Sequence, residues 1–215
     1  FNYGLNQRKG AYIAYNNAYP QTYVLDERII GTDDATKAKE ACPVDAIDLD
    51  MQEETLELKA GAVVWATGWR PYDANNIQPY GYDRFPNVIT NVEFERMNDL
   101  MGPTGGKIVR PSDGTEPKKI AFIQCAGSRD RNYLKHCSRI CCMYSLKQAH
   151  LVRDKTGAEV YEFYMDMRSF GKAYEEFYER IQEEGVTFVR GRGAEVEVLP
   201  DGKLRVTGED ADLGR

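Results

Sequence analysis

The cysteines constrain this chain more than anything else in it. Four of the five lie in one stretch, residues 118–150, as Cys125, Cys137, Cys141 and Cys142. Within it, residues 120–125 read as a short buried strand, rich in apolar side chains and closed by Ala126-Gly127. From about Ser138 the pattern turns helical, with Cys142, Leu146, Ala149 and Leu151 along one side. Cys125 therefore falls at the carboxyl end of a strand. Cys137 and Cys141 are four apart and share a face if the helix already covers both. Cys142 lies about 100° further round. Four sulfurs are drawn towards one helix beginning, which is the arrangement of a metal or cluster site.

The spacing C-x11-C-x3-C-C offers four thiolates, a ligand set for either an iron–sulfur cluster or a structural zinc. It does not match the paired C-x2-C knuckles of common zinc ribbons. Unligated or disulfide-forming thiols are the remaining alternative, although the neighbours Cys141 and Cys142 do not bond each other without strain. Arg129, Arg131, Lys135, His136 and Arg139 surround the cysteines. Positive charge there lowers a thiol pKa and offsets the negative charge of a thiolate-bound cluster.

The run Phe122-Ile-Gln-Cys-Ala-Gly-Ser-Arg-Asp130, with His136-Cys-Ser-Arg-Ile-Cys-Cys142 and Ser145-Leu-Lys-Gln-Ala149, resembles the A subunit of heterodisulfide reductase. It looks closer still to the related A subunit of the quinone-interacting membrane-bound oxidoreductase of sulfate reducers. These are flavoproteins of the thioredoxin-reductase type. The resemblance extends over most of the chain. It implies a [4Fe-4S] cluster on Cys125, Cys137, Cys141 and Cys142, and FAD in the full-length protein.

At 215 residues the chain is long enough for one or two domains, and its ends read as those of a piece of a longer protein. A net charge of −6, without a basic tract, argues against nucleic acid as a partner. The longest apolar run, around residues 60–66, is far short of the ~20 residues that a spanning helix needs. Mean hydropathy is −0.58, and no signal peptide is evident. Any membrane association therefore comes through partner subunits. Clustered cysteines point to a reducing compartment.

Three regions are expected. Residues 1–72 read as the C-terminal part of an FAD-binding lobe with a degenerate ferredoxin-like insert, residues 73–117 as a connection, and residues 118–215 as a second dinucleotide-binding-like lobe. In the first, residues 11–15 and 22–25 are candidate strands, and Tyr12, Tyr15 and Tyr23 read as packing residues rather than a flavin lining. A short helix follows over residues 33–41, capped by Thr32 or Asp33. Cys42-Pro-Val-Asp-Ala-Ile47 looks like the end of a bacterial ferredoxin motif, but residues 29–40 contain no cysteine, so Cys42 reads as a free thiol. Residues 46–50 and 55–59 alternate apolar and charged side chains, as a half-exposed hairpin does. Gly61-Ala-Val-Val-Trp-Ala-Thr-Gly-Trp-Arg-Pro71 then reads as a buried strand. It resembles the second signature of flavoproteins with two dinucleotide-binding domains, which places Thr67 and Gly68, with Trp69 and Arg70, beside FAD.

A helix is expected over residues 92–101, with Asn91 as its cap. Gly102-Pro-Thr-Gly-Gly-Lys107 fails the phosphate-loop spacing. The strand–loop–helix order of the cysteine stretch is that of a dinucleotide-binding unit, but its loop lacks G-x-G-x-x-G. Cysteines occupy the place where a nucleotide's pyrophosphate would sit. A strand over residues 160–167 comes next, then a helix carrying the stripe Phe170, Tyr174, Phe177, Tyr178 and Ile181 towards the core. A strand over 186–190 and a hairpin around Pro200-Asp-Gly-Lys203 complete an α/β fold, thioredoxin-reductase-like, with a Rossmann-like parallel unit plus β-hairpins. Arg168 and residues 190–192 read as solvated surface.

The expected function is electron relay between FAD and a [4Fe-4S] cluster, in an oxidoreductase component of a quinone-linked or heterodisulfide-reductase-like complex. The resemblance implies partner subunits of a membrane-associated redox complex, a role in sulfate reduction, and a cytoplasmic place at the inner face of the membrane. A zinc-stapled interaction module and a thiol–disulfide oxidoreductase are the alternatives, the latter without the usual C-x2-C. His136 and His150 have no evident catalytic partner.

Overall fold

The structure is a computed structural model that describes residues 2–14 and 17–214, so Tyr15 lies outside the described residues. It divides into two compact units: Asn6–Trp69, and Arg70–Arg215 together with Asn2–Leu5.

The first unit has little regular structure. Strands β1 (Ala11–Tyr12) and β2 (Val24–Leu25) form one short antiparallel pair. Asp26 follows, buried, and its carboxylate accepts bonds from the guanidinium groups of both Arg8 and Arg28. Helix α1 (Asp33–Glu40) begins after Thr32, although the Thr32 side chain makes no capping bond. The hairpin and buried strand expected over residues 46–68 are not formed. No strand occurs there, and residues 50–71 are all exposed. Val64 and Trp65, expected to be inside, are 89% and 83% exposed. The physical reason is a missing partner: a strand is held by ladder bonds to a neighbour, and this segment has none among the described residues.

The second unit carries the sheet. Helix α2 (Asn91–Asn98) is capped by Thr90 rather than by the expected Asn91, in a capping box with Glu93. Thr90 Oγ1 accepts the Glu93 N–H, while Glu93 reaches back to the Thr90 N–H at 2.6 Å. Strands β3 (Lys119–Ile123), β4 (Glu159–Tyr164) and β5 (Thr187–Arg190) form a parallel sheet in that order. They are joined by helices α3 (Cys141–Thr156) and α4 (Tyr174–Glu183) in a βαβαβ sequence. On α3 the buried positions are Cys142, Ser145, Leu146, Gln148, Ala149 and Val152, a helical stripe of period 3.6. It packs with Val160 of β4, Ile181 of α4 and Val186 into one core, which Phe94 of α2 also enters.

Gly157 ends α3 in the left-handed conformation that a helix C-terminus favours. The aromatic stripe on α4 is shorter than expected. Ile181 is fully buried, whereas Phe170 precedes the helix and is exposed. Strands β6 (Gly193–Val198) and β7 (Leu204–Gly208) pair as the expected hairpin. Tyr80 donates to the Gly193 carbonyl at 2.8 Å and packs with Val196 in a second small core. The observed class is mixed α/β, a three-stranded parallel sheet with antiparallel hairpins.

Candidate functional site

The cysteine segment starts where β3 runs out. Gln124 extends the parallel pairing by one bond, donating its N–H to the Phe163 carbonyl at 3.0 Å. The chain then turns through three left-handed residues, Cys125, Gly127 and Arg129, with φ of 57°, 70° and 55°. Gly127 is required there, since a Cβ would lie 2.3 Å from the ring of Tyr72. Cys125 and Arg129 hold the same conformation against the preference of residues with a side chain.

Hydrogen bonds and ion pairs fix the loop. Gly127 and Leu134 are joined by Leu134 N–H donating at 3.1 Å, and the Ser128 hydroxyl donates to the His136 carbonyl at 2.7 Å. Arg129 forms a two-pronged pair with Asp166, just past β4, and Arg168 joins the same carboxylate at 3.1 Å. Asp130 pairs with Arg192, just past β5, at 2.5 Å. The guanidinium of Arg139 stacks over the Phe170 ring at 4.9 Å.

The helix begins later than its sequence pattern suggests. Arg139 is left-handed, with φ of 69°, and α3 starts only at Cys141. Cys137 therefore lies in the loop, not on a helical face shared with Cys141. Cys141 and Cys142 occupy the first two helical positions, where the positive end of the helix dipole favours a thiolate.

Each sulfur has its own local partner. Cys137 Sγ accepts the Arg139 N–H at 3.4 Å, and Cys141 Sγ bonds the Ser138 hydroxyl. The Cys142 thiol, buried, donates to Gln124 Oε1 at 3.1 Å. Burial pushes the Cys125 thiol up, partly opposed by the Arg129 guanidinium. It pushes Cys142 to about 11. After burial, the neighbouring Cys125, Cys141 and Cys137 contribute to that rise, so the four thiols share one electrostatic neighbourhood. Burial also raises the Tyr144 hydroxyl, which hydrogen-bonds Cys141.

As placed, these side chains do not converge into a ligating set. Among the described residues, no group of three or more His, Cys, Asp or Glu side chains is positioned to hold a metal ion. The chemistry of the donor set nevertheless fits one. All five cysteines are free thiols, four of them gathered in this segment, with the cations Arg129 and Arg168 beside them to balance thiolate charge.

Thr67, Gly68 and Trp69 end the first unit and Arg70 opens the second; all four are exposed. Gly68 has φ of 73° with open space where a Cβ would be. Cys42, in the first unit, accepts the Ala46 N–H at 3.3 Å, and such backbone donors lower its pKa. His150 is not partnerless, since its Nδ1 lies 2.7 Å from a Glu184 carboxylate oxygen.

Sequence reasoning missed the polar residues behind the cysteines, Gln124, Ser145 and Glu162, and the acceptor Asp166. Glu162 shares the buried face of β4 with Val160, two residues before it, but its burial comes from the helix packed over that face.

The fold and the site together define a parallel α/β unit with four thiols in the segment that follows the first strand of its sheet. No family model matches the chain. It is 44% identical over its whole length to the A subunit of the H2:CoB-CoM heterodisulfide, ferredoxin reductase of Methanothermobacter thermautotrophicus. It is 46% identical, again over its whole length, to an iron-sulfur A subunit of the CoB–CoM heterodisulfide reductase of Methanopyrus kandleri. Over 94% of its length it is 40% identical to the A subunit of the ferredoxin:CoB-CoM heterodisulfide reductase of Methanosarcina mazei. The chain spans 33% of the first two relatives and 26% of the third. The chain is thus homologous over nearly all of its length to a section of the heterodisulfide reductase A subunit.

Proposed function

We propose that this chain is the cysteine-bearing section of an electron-transfer flavoprotein subunit, in which Cys125, Cys137, Cys141 and Cys142 hold a [4Fe-4S] cluster. One observation carries the reading: four thiols share an electrostatic neighbourhood spanning the end of β3, the loop after it and the first turn of α3. When bound, such a cluster supplies one-electron exchange, which suits relay to or from a flavin.

The chain's own residues have distinct tasks. Arg129 and Arg168, held together on Asp166, place positive charge beside the sulfurs and lower the cost of gathering thiolates. The first turn of α3 adds its partial positive charge at Cys141 and Cys142. The Tyr144 hydroxyl and Ser138 orient Cys141. The buried amide of Gln124 orients Cys142.

The wider architecture is thioredoxin-reductase-like in this reading, with regions 1–72, 73–117 and 118–215. Thr67, Gly68, Trp69 and Arg70 contact FAD once strands from the rest of the longer protein pair with residues 46–68. The exposed apolar side chains of that segment support it. The protein works in a complex with other subunits, in heterodisulfide-type or quinone-linked electron transfer such as that of sulfate reduction. Its place is cytoplasmic, at the inner face of the membrane through partners. No helix among the described residues is long and apolar enough to cross a membrane.

The test is iron, acid-labile sulfide and zinc per chain, with a visible spectrum, after anaerobic purification and reconstitution. About four iron and four sulfide per chain are expected for this cluster type, and Cys141→Ser should lose them. Zinc in place of iron would replace the relay with a structural module.

A further inference from the structure

Glu162 is a carboxylate on the covered face of the central strand β4, and it is completely shielded from solvent. Its two oxygens are treated unequally. Oε1 accepts from Gln124 Nε2 at 2.6 Å and from the Ser145 hydroxyl at 2.5 Å, while Oε2 has no partner. Among the described residues no cation pairs with it. Gln124 comes from the residue just after β3, Phe122 of β3 is the register partner, and β5 contributes Phe188. α3 contributes Ser145, with Cys142 one bond further on through Gln124. Burial opposed only by two neutral donors raises Glu162 to about 7.

Among the described residues, Gln124 bonds both this carboxylate and a candidate ligand sulfur. In the structure the Cys142 S–H donates to the Gln124 carbonyl, and the Gln124 amide N–H donates to Glu162. That orientation suits a protonated thiol in front and a carboxylate behind. A metal-bound cysteine has given up its proton, so its sulfur is an acceptor only. The Gln124 carbonyl would then face a second acceptor, with no hydrogen between them. Turning the amide over gives the sulfur an N–H and turns the carbonyl towards Glu162. In this dry pocket that carbonyl is satisfied only if Glu162 carries a proton.

We propose that Gln124 and Glu162 form a proton-compensating switch behind the cysteine centre, in which metal ligation by Cys142 turns the Gln124 amide over and places one proton on Glu162. This rests on the reading of Cys142 as a ligand. The balance is simple. The S–H bond of Cys142 breaks and its proton leaves to solvent as the metal–sulfur bond forms. An O–H bond forms on Glu162 with a proton from solvent, and no electron moves. The buried charge behind the centre is therefore held constant while the sulfur becomes anionic. Glu162 is a positioning residue, acting through Gln124. The N–H that Gln124 then donates to sulfur is a recognised lever on cluster potential.

Infrared difference spectroscopy on the intact, anaerobically purified protein tests this directly, with carboxyl-13C glutamate to assign the band. Three samples at pH 8 are compared: metal-free, iron–sulfur reconstituted, and loaded with cobalt(II) alone. Protonated Glu162 should rise from roughly one chain in ten, as a pKa near 7 implies, to nearly every chain on loading. The new protonated-carboxyl band should be missing in Glu162→Gln and, should that variant fold poorly, in Gln124→Leu.

A reconstituted protein with full iron and sulfide but no such band overturns the switch and leaves the cluster standing. A band that appears with cobalt(II), where iron and sulfide fail to assemble, keeps the switch and removes the iron–sulfur reading. Thiols that take up neither metal overturn both.

Discussion

Residues 62–66 and the β3 residues 120–123 are both short apolar runs with a glycine soon after, and they meet opposite fates. β3 pairs in register with β4 and is covered by α3, so every ladder bond on that side has a partner. Residues 62–66 have the same kind of side chains and, among the described residues, no strand beside them. An apolar run is a request for a sheet, and the request is met only where a neighbour supplies N–H and C=O groups in register. The cysteine site belongs to the region where that happens, and its loop hangs from a finished strand. The proposed flavin contacts belong to the region where it does not.

The sharpest way to break the comparison is to place proline in each region. Val160 is 1% exposed on the central strand and pairs in register with Ile120 of β3. Val160→Pro should cost at least about 3 kcal/mol and abolish cooperative urea unfolding. Val64→Pro, the smallest effect in the series, should change stability by less than about 0.5 kcal/mol. A comparable loss at Val64 would mean that residues 62–66 are paired in solution.

Next in size is a pH effect confined to the built unit. Glu162 has its folded pKa raised from an ordinary 4.5 to about 7 by burial. In that window the folded chain binds more protons than the unfolded one, so stability falls as pH rises. The contribution is fully present below pH 4.5 and gone above about 7. Relative to Glu162→Gln, the metal-free protein should lose roughly 3 kcal/mol between those limits. Urea midpoints at pH 4.5 and pH 8 read this out, and parallel curves for the two proteins would contradict it.

A smaller pair of effects compares the two helix starts. Thr90→Ala removes the side-chain half of a capping box and should cost about 1 kcal/mol. Thr32 makes no capping bond to α1, so Thr32→Ala should cost only a few tenths by thermal or urea unfolding. Equal losses would show that the two helices are capped alike.

Most of the parallel unit is legible in the sequence, because each of its strands and helices buries a periodic face against another element of the same chain. The hairpin at Pro200-Asp-Gly-Lys203 is equally plain from its turn residues. Three things are not legible. The start of α3 falls about three residues later than its pattern suggests, since nothing in the identity of Arg139 announces a left-handed backbone. The cap of α2 shifts from Asn91 to Thr90, a choice decided by Glu93 reaching back to its N–H. Glu162 passes for a solvated strand residue because its burial depends on α3 crossing above it. The strand reading of residues 46–68 is a statement about pattern, and pattern does not supply a neighbour.

The neighbouring pair Arg129 and Asp130 carries a further consequence. These two adjacent side chains of opposite charge reach to different places: Arg129 to Asp166 past β4, and Asp130 to Arg192 past β5. A chain with the two residues exchanged would have the same composition and the same net charge. Each exchanged side chain would then face its own sign, acid against Asp166 and base against Arg192. The information that seats the loop is therefore written in the order of two letters, as spelling rather than as quantity.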